Sequence, residues 1–263
     1  MRIALGVEYD GSAYQGFQLQ EGVPSIQGCL EEAVSSIAAA GIRLICAGRT
    51  DTGVHATGQV VHFDCPEGTT RPLHAWIRGV NTKLPPDIAV RWAREVPEDF
   101  HARFSAFERI YRYIIWNGPA RCAVMSRGVS DYSGRPLDHE AMDQGAAFLL
   151  GERDFTSFRS SQCQSRSPFR NVHSARVIRR GDFVILEIAA NAFLHHMVRN
   201  IAGSLLEVGL GRKEPAWIQE LLEIRDRNQA GPTGLPGGLY LVHVSYPDRF
   251  GIPEVPLGPL WLE

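Results

Sequence analysis

One aspartate and one arginine stand two residues apart in a run of small and polar residues, Ala47-Gly-Arg-Thr-Asp-Thr-Gly-Val-His-Ala56. Gly48 and Gly53 allow the chain to turn sharply on either side of Asp51. Alternate side chains of an extended segment share a face, so Arg49 and Asp51 are expected to project the same way. The pattern displays a carboxylate and a guanidinium together, which suits an Asx turn with a surface ion pair or a carboxylate that does chemistry.

Two apolar runs bracket this segment and predict the strands that position it. Leu44-Ile-Cys46 precedes the segment as the end of a strand, and Val60-Val-His-Phe63 follows it with strand alternation. The segment is therefore predicted to be a loop between two strands. Because a buried polar group without a partner costs about 1–3 kcal/mol, this loop must expose or pair each of its polar groups.

The predicted elements follow one order twice. In the first half, strands are expected over residues 2–9, 43–48, 59–64 and 88–92, with helices beginning after Ser25 and at Thr70 to Pro72. In the second half, strands are expected over 109–116, 172–180, 183–190 and 239–245, with helices over 138–150, 193–208 and 217–224. The β-α-β-β-α-β order is that of ferredoxin-like domains.

This order predicts an α+β fold made of two halves, residues 1–105 and 106–247, followed by a Pro- and Gly-rich tail at 248–263. Each half is expected to lay its helices on one face of an antiparallel sheet, which leaves the other face, or a cleft between the halves, for a ligand.

Composition restricts the class of protein. The chain has 263 residues, 44% of them hydrophobic, which is enough for a substantial core. No apolar run approaches the roughly 18 residues of a membrane span, and no signal-peptide pattern opens the chain, so we expect a cytoplasmic protein with no membrane partner. Its five cysteines are an odd number without Cys-x-x-Cys spacing, so neither a disulfide framework nor a zinc site is expected.

The string Gly-Arg-Thr-Asp-Thr-Gly-Val-His-Ala, residues 48–56, closely resembles the active-site signature of the TruA family of tRNA pseudouridine synthases. The resemblance extends from about Ile3 to Pro247 and implies the pseudouridine synthase fold. It also implies that Asp51 is the catalytic nucleophile. We expect Arg49 to hold the space that a flipped base leaves in the RNA.

A strand segment, Arg109-Ile-Tyr-Arg-Tyr-Ile-Ile-Trp116, places Tyr111 and Tyr113 on one face. A tyrosine ring can stack on a base, although packing within a sheet is the commoner use of a strand tyrosine. The segment resembles the family strand whose tyrosine lies against the target uracil. That resemblance assigns this position to Tyr111, and we expect Tyr113 to belong to the core.

On the predicted helix 193–208, His195, Arg199 and Gly203 recur four residues apart on one stripe. The glycine leaves room beside the arginine for a ligand or a partner strand. An arginine on a helix is most often a solvated surface residue. The segment Asn191–Gly203 resembles the family helix whose arginine pairs with the catalytic aspartate, which implies that Arg199 holds Asp51 ionised for attack.

Residues 153–180 contain seven arginines against one aspartate, a net charge of +6 within a chain whose total is −2. A solvated loop is the ordinary interpretation of this segment. Arginine also suits phosphate oxygens and base faces, and the resemblance makes contact with an RNA backbone the better prediction.

The resemblance implies conversion of uridine to pseudouridine in the anticodon stem-loop of tRNA, at family positions 38 to 40, by a homodimer that needs neither cofactor nor metal. Attack on C1′, attack on C6 and assisted elimination are all open to the carboxylate. A non-catalytic protein that binds structured RNA is one alternative, because it needs the arginines and tolerates Asn at residue 51. A metal-dependent nuclease using Asp51 and His55 is another.

Overall fold

The computed structural model describes residues 1–69 and 71–262, and Thr70, expected near the start of the second helix, lies outside them. The chain forms two compact units. The first unit consists of residues 1–107 and the chain from Tyr240 onward, and the second consists of residues 108–239.

Both units contain strands and helices. The strands are β1 (Arg2–Tyr9), β2 (Ile45–Cys46), β3 (His55–Asp64), β4 (Ile88–Val96), β5 (Glu108–Trp116), β6 (Ser130–Asp131), β7 (Gly151–Asp154), β8 (Phe169–Arg180), β9 (Phe183–Ala190) and β10 (Leu239–Ser245). The helices are α1 (Ile26–Ala38), α2 (Leu73–Asn81), α3 (His139–Ala147), α4 (Met197–Gly209) and α5 (Trp217–Ile224). The mixed α+β class is confirmed.

The first unit contains a sheet in the order β4-β1-β3-β10, and β2 also pairs with β3. The pairings of β1 with β3 and β4, and of β2 with β3, are antiparallel. The order 4-1-3-2 of these four strands is that of a ferredoxin-like sheet, as the β-α-β-β-α-β order predicts. The last strand, β10, adds in parallel beside β3, with Tyr240 opposite His55.

Two helices complete the core of the first unit. The Ser25 side chain accepts a hydrogen bond from the Gly28 N–H at 3.2 Å, so the predicted cap of α1 is confirmed. Leu30 and Val34 of α1 and Trp76 of α2 are fully buried, because each helix turns its apolar stripe inward.

The second unit has a sheet in the order β5-β9-β8-β7, with antiparallel neighbours, and β6 pairs in parallel with β5. Helix α3 lies against β8, and α4 contacts α3. Most of α4 is buried, as its run of apolar and small residues requires. Across the described ranges, no helix has both the length and the apolar character needed to cross a membrane.

The strands next to the Asp51 segment differ from expectation in length. Strand β2 has only two residues, and β3 starts at His55, four residues before the predicted start. A distant partner causes the early start, since β10 pairs with β3 at Tyr240 and Leu241. Gly58 permits this approach, because a Cβ there would lie 2.1 Å from the Val242 carbonyl oxygen.

The sequence pattern predicts boundaries after residues 105 and 247, whereas the compact units divide after residues 107 and 239. The difference arises because β10 and the segment after it pack on the first unit. Phe250 is buried against Phe100, with ring centroids 5.1 Å apart. Arg249 pairs with Asp99 at 2.6 Å. A few side chains therefore anchor this Pro- and Gly-rich segment to the first unit, although its composition predicts a tail.

Candidate active site

Asp51 lies in a loop of the first unit that joins β2 to β3, residues 47–54, called here the Asp51 loop. The Asp51 side chain is half-buried, Arg49 is exposed and Thr50 is buried. Gly53 has φ +75°, so the sharp turn expected after Asp51 is present at a glycine. The loop prediction from the sequence is confirmed.

The buried side chain of Gln59 fixes the beginning of the Asp51 loop. Its Nε2 donates to the Gly48 carbonyl at 2.7 Å, and its Oε1 accepts from the N–H groups of Gly48 at 3.4 Å and Val60 at 3.2 Å. The loop backbone also pairs directly with β3, where the Ala47 N–H donates to the Val60 carbonyl at 2.8 Å. A fully paired buried amide holds the two residues before Arg49 in one arrangement.

A second buried contact fixes the residue immediately before Asp51. The Thr50 hydroxyl lies 2.8 Å from the Tyr9 hydroxyl, and the Thr50 carbonyl accepts from the Phe17 N–H at 3.0 Å. Gly16 makes room for this contact, since its φ is +92° and a Cβ there would lie 2.8 Å from the Thr50 oxygen. Thr50 thus ties the Asp51 loop to β1 and to the segment that follows β1.

His55, which the nuclease alternative pairs with Asp51, is 3% exposed and sits at the start of β3. Its Nδ1 lies 3.1 Å from both the Gly11 nitrogen and Asp10 Oδ1, and its ring stacks on Tyr240 with centroids 4.7 Å apart. His55 also bonds Asp10, and together with hydrogen bonds from Ser12 this lowers the pKa of that carboxyl. The burial and these contacts give His55 a structural role in the first unit.

In the second unit, Tyr111 is buried within β5, opposite Ile188 of β9. The rings of Tyr111 and Phe193 form a T-shaped pair, with centroids 5.0 Å apart and an interplanar angle of 80°. Tyr113 is fully buried, and its hydroxyl donates to the Leu235 carbonyl at 3.0 Å. The expectation that Tyr113 belongs to the core is confirmed, and burial raises the pKa of its phenol.

Arg199 lies half-buried on α4 and makes two hydrogen bonds with Gly234, a residue later in the chain. Its Nε donates to the Gly234 carbonyl at 2.8 Å, and its own carbonyl accepts from the Gly234 N–H at 2.9 Å. A Cβ at Gly203 would lie 1.6 Å from the Pro232 oxygen. The room predicted beside Gly203 is therefore taken by residues 231–235 of the chain, called here the 231–235 segment.

Buried polar side chains hold the 231–235 segment on α4. Asn200 Oδ1 accepts from Thr233 Oγ1 at 2.7 Å and from Arg227 Nη2 at 3.1 Å, and Asn200 Nδ2 donates to the Phe158 carbonyl at 2.8 Å. The Gly231 N–H donates to Ser204 Oγ at 3.0 Å. This network was not predicted from the sequence. Its signal was two polar residues, at 200 and 204, within the apolar run of α4.

Helix α4 begins at Met197, so the prediction of a helix from residue 193 was wrong at its start. His196 is the N-cap with φ +62°, and His195 therefore does not share a helical stripe with Arg199. Instead, the residues before α4 make hydrogen bonds with the loop between β7 and β8. The His195 N–H donates to Cys163 Sγ at 3.4 Å, and its carbonyl accepts from the Ser160 N–H at 3.1 Å.

The arginine-rich window 153–180 forms β7, β8 and the loop between them. Two of its arginines fold that loop, since Arg159 donates to the carbonyls of Cys163 and Ser165, and Arg170 donates to the Ser165 hydroxyl. Hydrogen bonds to Cys163, from His195 and Ser165 and from Arg159, outweigh its burial and lower the pKa of its thiol. Four other arginines have exposed side chains, namely Arg153, Arg166, Arg176 and Arg180.

The structure thus places Asp51 and Arg49 in the first unit, and Tyr111 and Arg199 in the second. Within each unit, buried contacts hold the segment or side chains that form the pair. The supporting side chains that the sequence patterns did not predict are Tyr9, Gln59, Asn200, Ser204, Arg227 and Thr233.

Comparison with known proteins supplies the family. The family model described as tRNA pseudouridine synthase matches residues 6–105 and 146–247, which is more than half of the chain. The chain is 58% identical over 262 residues to a protein named tRNA pseudouridine synthase A from Actinobacillus pleuropneumoniae serotype 7 (strain AP76), covering 100% of this chain and 99% of that protein. It has the same identity and coverage with the protein of that name from Shewanella sp. (strain W3-18-1). This chain belongs to the tRNA pseudouridine synthase family.

Proposed function

We propose that this enzyme isomerises uridine to pseudouridine in the anticodon stem-loop of tRNA. The observation that carries the proposal is the full-length similarity to relatives named tRNA pseudouridine synthase A. The Asp51 loop supports it, because it presents one half-buried carboxylate beside an exposed guanidinium on a backbone that buried side chains hold.

The reaction breaks the N1–C1′ bond of uridine and forms a C5–C1′ bond. N1 gains a proton and C5 loses one, so the product is an isomer of the substrate. Since nothing is oxidised and no phosphoryl group moves, the chemistry can proceed without cofactor or metal. Asp51 is the proposed nucleophile, which attacks C1′ or C6 or assists elimination. A carboxylate held in one geometry is suited to any of these routes.

Three further residues take roles around Asp51 in this proposal. The Arg199 guanidinium, which donates a hydrogen bond to the Gly234 carbonyl, stabilises the ionised form of Asp51. Tyr111 covers the uracil as it turns, with its ring held against Phe193. Arg49 extends from the loop and fills the vacated space in the RNA, which offsets part of the few kcal/mol that flipping a base costs.

The enzyme is proposed to act as a homodimer in the cytoplasm, where one copy contributes RNA contacts beside the site of the other. The exposed arginines of the window 153–180 are the proposed contacts to the RNA backbone. Light scattering of the purified protein tests the dimer, and a monomer mass would contradict it.

The test of the function is release of tritium from tRNA transcripts labelled at C5 of uridine. The purified chain should release one tritium for each pseudouridine formed, and mapping of the product should locate it in the anticodon stem-loop. tRNA from cells that lack this protein should lack the same pseudouridines. Tight binding of tRNA without tritium release would favour the non-catalytic RNA-binding alternative.

A further inference from the structure

We propose that Phe104, stacked on His101, is a platform that binds an unpaired base of the RNA substrate. The platform belongs to the first unit and lies in the turn that follows β4. The inference rests on the proposed function, because it names a part of the same substrate, and it adds a binding site outside the four residues assigned above.

The Phe104 side chain is unusually exposed for an aromatic residue. It is 76% exposed, although the His101 ring stacks on it with centroids 4.4 Å apart and an interplanar angle of 29°. Since His101 covers one face of the ring and the Arg103 guanidinium lies over the ring at 5.6 Å from its centroid, exposure of this size leaves a large part of the opposite face open to solvent. That face is a flat apolar surface of the kind on which nucleobases stack.

The turn that carries Phe104 is held firmly. The Ser105 N–H donates to the His101 carbonyl at 2.9 Å, and Ser105 Oγ accepts from the His101 N–H at 3.0 Å. His101 Nδ1 accepts from the N–H groups of Arg103 and Phe104, both at 3.1 Å. The Tyr246 hydroxyl donates to the Ala102 carbonyl at 2.6 Å. A ring ordered this way loses little conformational entropy when a ligand stacks on it.

A chain of contacts connects this turn to the base of the Asp51 loop. The His101 ring lies 5.0 Å from the His62 ring, and His62 pairs with Ile45 of β2, the strand that leads into the loop. The charges of Arg49 and Arg103 both lower the pKa of the Cys46 thiol, which burial raises to about 11. Both guanidinium groups therefore lie near enough to Cys46 for their charges to act on its thiol.

Charge favours a nucleic acid as the occupant. The Arg103 guanidinium lies 5.6 Å from the Phe104 ring centroid, so a base on the ring would bring its phosphate near a cation. A third ring can also stack on the His101–Phe104 pair. The pKa of His101 is lowered, mainly by burial and by the charge of Arg2, so its ring is neutral and stacks without an added charge.

The experiment measures the Kd for a tRNA transcript with Phe104→Ala, Phe104→Leu and Phe104→Trp, each combined with Asp51→Asn to prevent turnover. Loss of one stacked base should weaken binding about tenfold to a hundredfold in the Ala and Leu variants. Trp retains an aromatic face and should restore binding. Because no phosphate contact is lost, Phe104→Ala should leave the salt dependence of Kd unchanged, whereas Arg103→Ala should reduce its slope by about one.

Ile224→Ala is the matched control, since it truncates another exposed apolar side chain, 52% exposed on α5 of the second unit, and should leave Kd unchanged. Three results would overturn the platform: an unchanged Kd for Phe104→Ala, equal binding by the Leu and Trp variants, or a shift of Phe104→Ala from dimer to monomer mass. The last result would make a second copy of the chain the occupant. Absence of tritium release by the unmodified enzyme would instead contradict the proposed function, while the Kd series would still report on stacking.

Discussion

The hydroxyl oxygens of Tyr9 and Thr50 lie 2.8 Å apart, and both side chains are buried. This contact joins the end of β1 to the residue that precedes Asp51. Gln59 extends it, since its Nε2 lies 3.4 Å from the Tyr9 hydroxyl and 2.7 Å from the Gly48 oxygen. A continuous set of buried polar contacts therefore holds the Asp51 loop against β1 and β3.

Tyr9→Phe removes one hydroxyl from this set and leaves the ring in place. We expect kcat to fall about tenfold with little change in KM, because a small displacement of a reacting group is costly. Thr50→Val should behave similarly, and Thr50→Ser should retain activity because it keeps a hydroxyl. Steady-state kinetics on tRNA checks this. Tyr14→Phe, which removes a hydroxyl bonded to Asp87 at 2.7 Å, is the control. Unchanged kcat in Tyr9→Phe would refute a positioning role.

Asp51→Asn replaces the proposed nucleophile with an amide of the same shape. Tritium release should fall by roughly a thousandfold or more, because an amide oxygen is a poor nucleophile. The affinity for tRNA should stay within about twofold, since the change removes a negative charge and no cationic contact. Filter binding and tritium release measure the two quantities separately. Retained turnover would contradict the assignment of Asp51.

Removal of divalent metal should leave the chemistry intact. With a short anticodon stem-loop hairpin folded in monovalent salt, kcat should be unchanged by EDTA, because the isomerisation needs no Lewis acid. The hairpin avoids the Mg²⁺ dependence of whole tRNA folding. Activity that disappears in EDTA and returns with Mg²⁺, or RNA that is cleaved during the assay, would instead support the nuclease alternative.

Gly203→Ala should destabilise the second unit. Its new Cβ would lie 1.6 Å from the Pro232 carbonyl oxygen, and a backbone atom cannot rotate away. We expect a loss of about 1–3 kcal/mol in the free energy of unfolding, measured by urea denaturation. Activity should fall too, because the displaced 231–235 segment carries the Gly234 carbonyl that holds Arg199. Gly41→Ala is the control, since a Cβ there meets nothing within 4 Å.

Acid should destabilise the first unit through His62. Burial, together with the charges of Arg2 and His101, lowers the pKa of His62 from 6.5 to about 4. Between these values the unfolded chain binds a proton that the folded chain does not, so the free energy of unfolding falls as the pH falls through this window. The loss should reach about 3 kcal/mol at pH 4 and then level off.

Urea denaturation at intervals from pH 7.5 to pH 4 measures the effect of His62. In His62→Asn, whose Oδ1 can still accept the Ala102 N–H bond that His62 Nδ1 accepts at 3.1 Å, this part of the pH dependence should disappear. His74→Asn, at an exposed position of α2, should leave the pH dependence as it is. Equal pH dependence in all three proteins would exclude His62 as the source.

Much of the fold follows from local patterns. Strands over 183–190 and 239–245 and the helix over 217–224 end where the alternation and the helical period of the sequence predict. The Asp51 loop is as evident, because two apolar runs enclose a cluster of glycines and polar residues. Hydrophobic periodicity depends only on neighbours in the chain, so it identifies which residues an element buries and which it displays.

The supports of the candidate site depend on contacts between residues far apart in sequence. Tyr9 meets Thr50, Gln59 meets Gly48, and Arg199 meets Gly234 only because the strands and helices carry them together. The early start of β3 and the late start of α4 have the same origin, in β10 and in the loop at Cys163. The sequence by itself determined the chemical groups and the elements that display them. Tertiary structure decided which groups meet, because a hydrogen bond requires two atoms within about 3 Å, and no local spacing specifies that distance.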